Sequence, residues 1–152
     1  MHKAKPYVSP ATRQRQGLAA RRQRMVIANE VIAQIAATGP RWFCHGERVS
    51  RFEVADDGRI FWVDSSTWRW VPTAAIYDWP GFSGNATLQA LCRDLATYIR
   101  TGRQIRASWF FPDPISGLGG MSLGYRWREI PALRQGLQRS IAMQAIAERR
   151  HP

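Results

Sequence analysis

Five arginines near the start of the chain, Arg13, Arg15, Arg21, Arg22 and Arg24, have a type and spacing that fit one chemistry, phosphate binding. A guanidinium is planar, permanently charged and donates in pairs to phosphate oxygens. At 100° per residue, Arg13, Arg21 and Arg24 point one way and Arg15 and Arg22 nearly the opposite way. A helix here carries cations all round, so it can meet phosphates on either side. Each contact releases counterions and positions the partner without reading its sequence. The plainer alternative is a solvated, merely soluble arm. Arg134, Arg139, Arg149 and Arg150 add a second basic surface if the terminal helices lie together.

Other constellations are weaker. Glu53, Asp56, Asp57 and Asp64 are the acids of one region, and a metal-dependent nuclease needs two or three converging carboxylates. Asp56-Asp57-Gly58 and Asp64-Ser65-Ser66 are, however, turn sequences in their own right. Cys44-His45 has no Cys-x-x-Cys or internal histidine to complete a zinc site, because His2 and His151 are terminal. Adjacent strand residues face opposite ways, so Cys44 is not placed to serve His45 as a nucleophile. Cys44 and Cys92 read as free thiols. Gly117-Leu118-Gly119-Gly120 lacks the Lys-Ser/Thr of a phosphate loop, and no hydrolase or zinc-protease motif occurs. The expectation is a protein without catalytic residues, metal or cofactor.

Trp68 and Trp70 fall on one side of an alternating segment with Arg69 opposite, which suits a base-stacking platform beside cations. The competing reading is core, since three apolar helix faces need a sheet to cover. Trp and Arg also dominate protein-binding hot spots.

Charge distribution sharpens the picture. Residues 1–29 carry +7 and no acid, residues 30–125 are neutral, and residues 126–152 carry +4, giving +11 overall. Basic ends around a neutral middle steer encounters with nucleic acid, DNA or RNA, or with an acidic protein surface. Twenty of the 22 cations are Arg, a bias that GC-rich coding also produces. With 45% hydrophobic residues and seven Trp the chain can bury a core. No apolar run approaches the roughly 20 residues that span a bilayer, and the polar start suggests a cytoplasmic protein with no membrane association.

The elements that must position these residues follow from pattern. Ser9-Pro10 starts a helix that reaches Thr38, before Gly39-Pro40. Met25, Ala28, Val31, Ile32, Ile35 and Ala36 give its second half a core face. Residues 11–24 have only Leu18, so this half is expected to project into solvent or to order on a partner. An antiparallel meander covers 41–71, with strands at 41–44, 49–54, 59–63 and 67–71 and a hairpin turn at Asp56-Asp57-Gly58. A second helix runs from Thr87 to Arg100 with a stripe of Leu88, Leu91, Cys92, Leu95, Tyr98 and Ile99. Residues 105–111 read as a further short strand. A third helix starts near Ile130 and presents Leu133, Leu137, Ile141 and Ala145. The prediction is an α+β chain in which a basic N-terminal arm (1–24) precedes one domain (25–152): a small antiparallel meander of three to five strands packed against three helices.

Arg48-Val-Ser-Arg-Phe-Glu-Val54, Gly58-Arg-Ile-Phe-Trp-Val-Asp64, Gly81-Phe-Ser83 and Thr87 through Gly102 together resemble small proteins encoded by bacterial prophages, plasmids and other integrated elements. The resemblance covers roughly residues 40–105. That group has no established activity, so it implies a mobile-element setting and an accessory role but no site residues. The leading expectation is a non-enzymatic accessory protein that binds nucleic acid through the arginine helix, largely without sequence preference. The alternatives are an inhibitor or adaptor docking on a host complex, such as a defence nuclease, and a metal-dependent nuclease built on Glu53–Asp64.

Overall fold

The computed structural model describes residues 6–39, 41–74, 79–84, 86–110 and 130–148. Ser9 caps the first helix, its hydroxyl accepting from the Thr12 N–H, and Pro10 supplies a pre-set φ at the first helical position. That helix, α1, runs unbroken over Pro10–Ala36. Two short strands, β1 (Cys44–His45) and β2 (Arg48–Val49), pair as a two-stranded ribbon. Then β3 (Arg51–Val54), β4 (Ile60–Val63) and β5 (Trp70–Pro72) form a three-stranded antiparallel meander. The predicted 49–54 strand therefore divides at Ser50, whose N–H turns to the Phe43 carbonyl and whose hydroxyl takes the Ser65 N–H. Gly58, at φ +87°, closes the β3–β4 hairpin.

Helix α2 spans Ala86–Thr101, and its predicted stripe is buried throughout. Residues 105–110 do not form the expected strand, and Phe111 lies outside the described residues. Ile105 makes an isolated parallel bridge to Ala147, and Ala107–Trp109 is a single 3₁₀ turn. The last helix is also two: α3 (Ile130–Arg139) and α4 (Ile141–Ile146), the second restarted by the Ser140 hydroxyl, which accepts from the Met143 N–H. The restart changes the helical phase. Ile141 is consequently 82% exposed and Ala145 is also exposed, while Met143 and Ile146 turn inward beside Leu133 and Leu137. The architecture is α+β, with four α-helices and two small antiparallel sheets among the described residues.

The core lies between the inner sheet face (Phe52, Val54, Ile60, Trp62, Val71), the second half of α1, and α2 with α3 and α4. Trp62 sits at its centre, edge-on to Phe43 and Phe52 and 5.6 Å from Phe82. Such ring pairs add to area burial.

Cys92 is fully buried and Cys44 half-buried, both as free thiols. Burial, helped by the Asp64 carboxylate, pushes the Cys92 thiol well above its ordinary 9.0, and burial also raises the Tyr98 phenol. An acid held protonated in the folded state favours unfolding once the unfolded chain can ionise. Stability is therefore expected to fall as pH rises through 9.0. Denaturant melts of Cys92→Ala between pH 8 and 10 should show a shallower decline; an unchanged slope would assign it elsewhere.

Candidate nucleic-acid interface

The arm arginines divide into two groups. Arg13 and Arg15 are exposed, and Arg15 Nη2 donates back to the Thr12 hydroxyl at 3.2 Å. Arg21 Nη1 donates to the Gly58 carbonyl at 2.6 Å, and Arg22 Nη2 to Asp56 Oδ1 at 2.7 Å. Arg24 Nε donates to the Ile99 carbonyl at 2.9 Å and Nη2 to that of Arg100 at 3.4 Å. Arg24 thus caps the C-terminus of α2, where the final carbonyls lack helical partners and the helix dipole favours a cation. Leu18 packs on the same surface. The expectation that residues 11–24 project into solvent is therefore corrected for Leu18 to Arg24. Cations all round a helix do not keep it off the domain when their stems reach carbonyls of a hairpin turn and a helix end.

At the other terminus, Arg139 is exposed and Arg134 half-buried, while Arg149 and Arg150 lie outside the described residues. The terminal helices do lie together, because Gly136 brings α3 against Ile35 of α1. Ile35 is roughly 30 Å along the axis from Arg15 at 1.5 Å per residue. Arg134 and Arg139 accompany the far end of α1 and do not widen the patch around Arg13 and Arg15.

The outer face of the meander carries the Trp-rich segment for which the sequence left core and binding surface as alternatives. Register places Arg51, Val63 and Trp70 in one cross-strand row and Glu53, Phe61 and Pro72 in the next. Val71, between Trp70 and Pro72, faces the core opposite Trp62. Trp70 is 52% exposed and Trp68 39% exposed, which decides against the core reading. Phe61 and Trp70 rings lie 5.4 Å apart and tilted by 57°. The Arg48 and Arg51 guanidinia stand over Trp68 at 5.3 and 4.8 Å, and Arg59 over Phe61 at 5.4 Å. Arg48, Arg59 and Arg69 are exposed, and the one acid on the face, Glu53, is bonded by Arg51 Nε at 2.6 Å.

Trp68 is displayed under strain. Its φ is +57°, a left-handed conformation that costs a bulky side chain about 1–2 kcal/mol. The turn that imposes it is held from below by Asp64, only 2% exposed, whose carboxylate accepts from Ser66 N, Thr67 N, and Ser83 N and Oγ. Trp62 Nε1 donates to the same carboxylate at 3.4 Å. Asp64 Oδ1 and Oδ2 are thus fully engaged in shaping the loop. Asp56 is paired with Arg22 and Asp57 with Arg59, and the Arg59 bonds hold the Asp57 carboxyl below the usual carboxylate range. Among the described residues no three of His, Cys, Asp and Glu converge so as to hold a metal ion, and no helix is long and apolar enough to cross a membrane.

Comparison of the chain with protein-family models, with curated proteins and with solved structures finds no match.

Proposed function

We propose that this protein binds nucleic acid, largely without reading sequence, as a non-enzymatic accessory factor in the mobile-element setting its sequence resembles. The observation that supports this reading most is the +7 charge of residues 1–29, which contain no acid, with Arg13 and Arg15 exposed on the first turns of α1. Guanidinia held on a helix meet phosphates with less ordering cost than the same residues on a flexible tail. Arg21, Arg22 and Arg24 contribute mainly by fixing that helix to the domain.

The test is fluorescence anisotropy of labelled DNA and RNA over a salt series, comparing the full chain with Arg13→Gln/Arg15→Gln. Binding should weaken linearly in log salt, and the double variant should lower the slope by about 1–2. Absence of binding at low salt would sink the proposal. A second reading, docking on an acidic protein, draws support from the exposed Trp68 and Trp70 beside arginines, the residue types that anchor protein interfaces. It predicts a stoichiometric complex that survives nuclease treatment.

A further inference from the structure

We infer that the outer face of β3–β4–β5 is a stacking platform for unpaired bases, so that the preferred ligand is single-stranded nucleic acid. This rests on the nucleic-acid reading above and adds the substrate class to it. The phosphate contacts available to Arg13 and Arg15 are the same on single strands and duplexes, and they confer no such preference. The sheet face differs, because an aromatic ring can stack only on a base whose flat face is uncovered.

Three features of this face fit that ligand. Trp70 and Trp68 present large rings to solvent, with half-buried Phe61 beside Trp70, although buried Trp62, Trp79 and Trp109 show that the fold can enclose indoles. Strands about 4.8 Å apart give the three-stranded face room for about two bases. Arg48 and Arg69 set positive charge beside the rings, while Arg51 is paired with Glu53 and Arg59 with Asp57, so the rim keeps a net positive charge that complements a phosphate backbone. Val63, in the middle of this face, is fully buried yet stands outside the main core, so the surrounding rings already cover it. A ligand therefore lands on rings and guanidinia.

The experiment uses the full chain with a labelled 12-nucleotide oligo(dT) and its duplex with oligo(dA), at one fixed salt concentration. The wild type should bind the single strand at least about tenfold more tightly than the duplex. Stacking on one ring changes affinity by roughly one decade or more per base, so Trp68→Gly/Trp70→Leu should lose about 10–100-fold on the single strand and bring the two affinities together. Glycine suits the φ of position 68 and leucine keeps Val63 covered, so an unchanged thermal midpoint separates lost stacking from lost folding. Acrylamide quenching gives an independent readout, since single-strand binding should shield the exposed tryptophans. Equal affinity of the wild type for both ligands, or a folded double variant that binds the single strand as the wild type does, would overturn the platform while leaving the phosphate reading intact. No binding to either ligand removes both. A stoichiometric, nuclease-resistant protein complex that the double variant loses would assign the face to a protein partner instead.

Discussion

Replacing Asp64 with alanine is expected to lower the unfolding free energy by about 3–5 kcal/mol, because several buried or half-buried donors lose their acceptor at once. Ser66 N at 3.0 Å, Thr67 N at 3.3 Å and Ser83 N at 3.0 Å all point at this carboxylate, with the Ser83 hydroxyl and the Trp62 indole N–H. A surface aspartate in a turn would cost a fraction of this, since water replaces its bonds. Asp64 is buried beneath the turn and joins three segments: the end of β4, the turn that carries Trp68, and the chain before α2. Its loss therefore loosens the strained turn as well as the core around Trp62. Equilibrium denaturation measures the effect, with the slope on denaturant unchanged if the native fold persists. Asp64→Asn keeps one oxygen acceptor and should fall between the two. A loss below 1 kcal/mol would show that water substitutes freely there, and the account of the turn would fail. The same variant should also bind single strands more weakly than its residual folding explains, because Trp68 would no longer be fixed.

How much of this was legible in the sequence depends on whether the signal was local. Ser9-Pro10 marked the start of α1, and Gly58 marked the β3–β4 turn, because each supplies a backbone geometry that few residues adopt. The α2 stripe was legible because helical periodicity repeats over four turns. The α3–α4 break was not, since Ser140 is an ordinary residue until its hydroxyl captures the Met143 N–H. Alternation of Trp68, Arg69, Trp70 and Val71 grouped residues by side but could not say which side is inside. In fact Trp68 precedes β5 and lies in a turn, so its place in the alternation was accidental. For the arm, composition correctly marked the cations, but the acceptors of Arg21 and Arg24 are main-chain carbonyls, which no side-chain pattern encodes.

Asn29 is the plainest instance of such a long-range signal, and its replacement by alanine is expected to cost about 2–4 kcal/mol. Strand β3 is an edge of its sheet, so one side of its backbone lacks a strand partner. The Asn29 amide takes that role: Oδ1 accepts from the Phe52 N–H at 2.6 Å, and Nδ2 donates to the Phe52 carbonyl at 3.1 Å. Helix α1 in effect adds one peptide-like group to the sheet and fixes the register of Phe52 in the core. Alanine removes both partners from a residue that is itself fully buried, leaving a donor and an acceptor in a place water reaches poorly. Asn29→Asp provides the control, because it retains the acceptor for the N–H but sets a carboxylate oxygen against the Phe52 carbonyl. It should destabilise too, and no less than alanine if that repulsion dominates. Denaturant melts measure all three forms, and amide exchange at Phe52 should rise in the alanine variant faster than in the rest of β3. If alanine costs under 1 kcal/mol and Phe52 stays protected, the amide bridge is dispensable and sheet pairing alone holds β3 against α1.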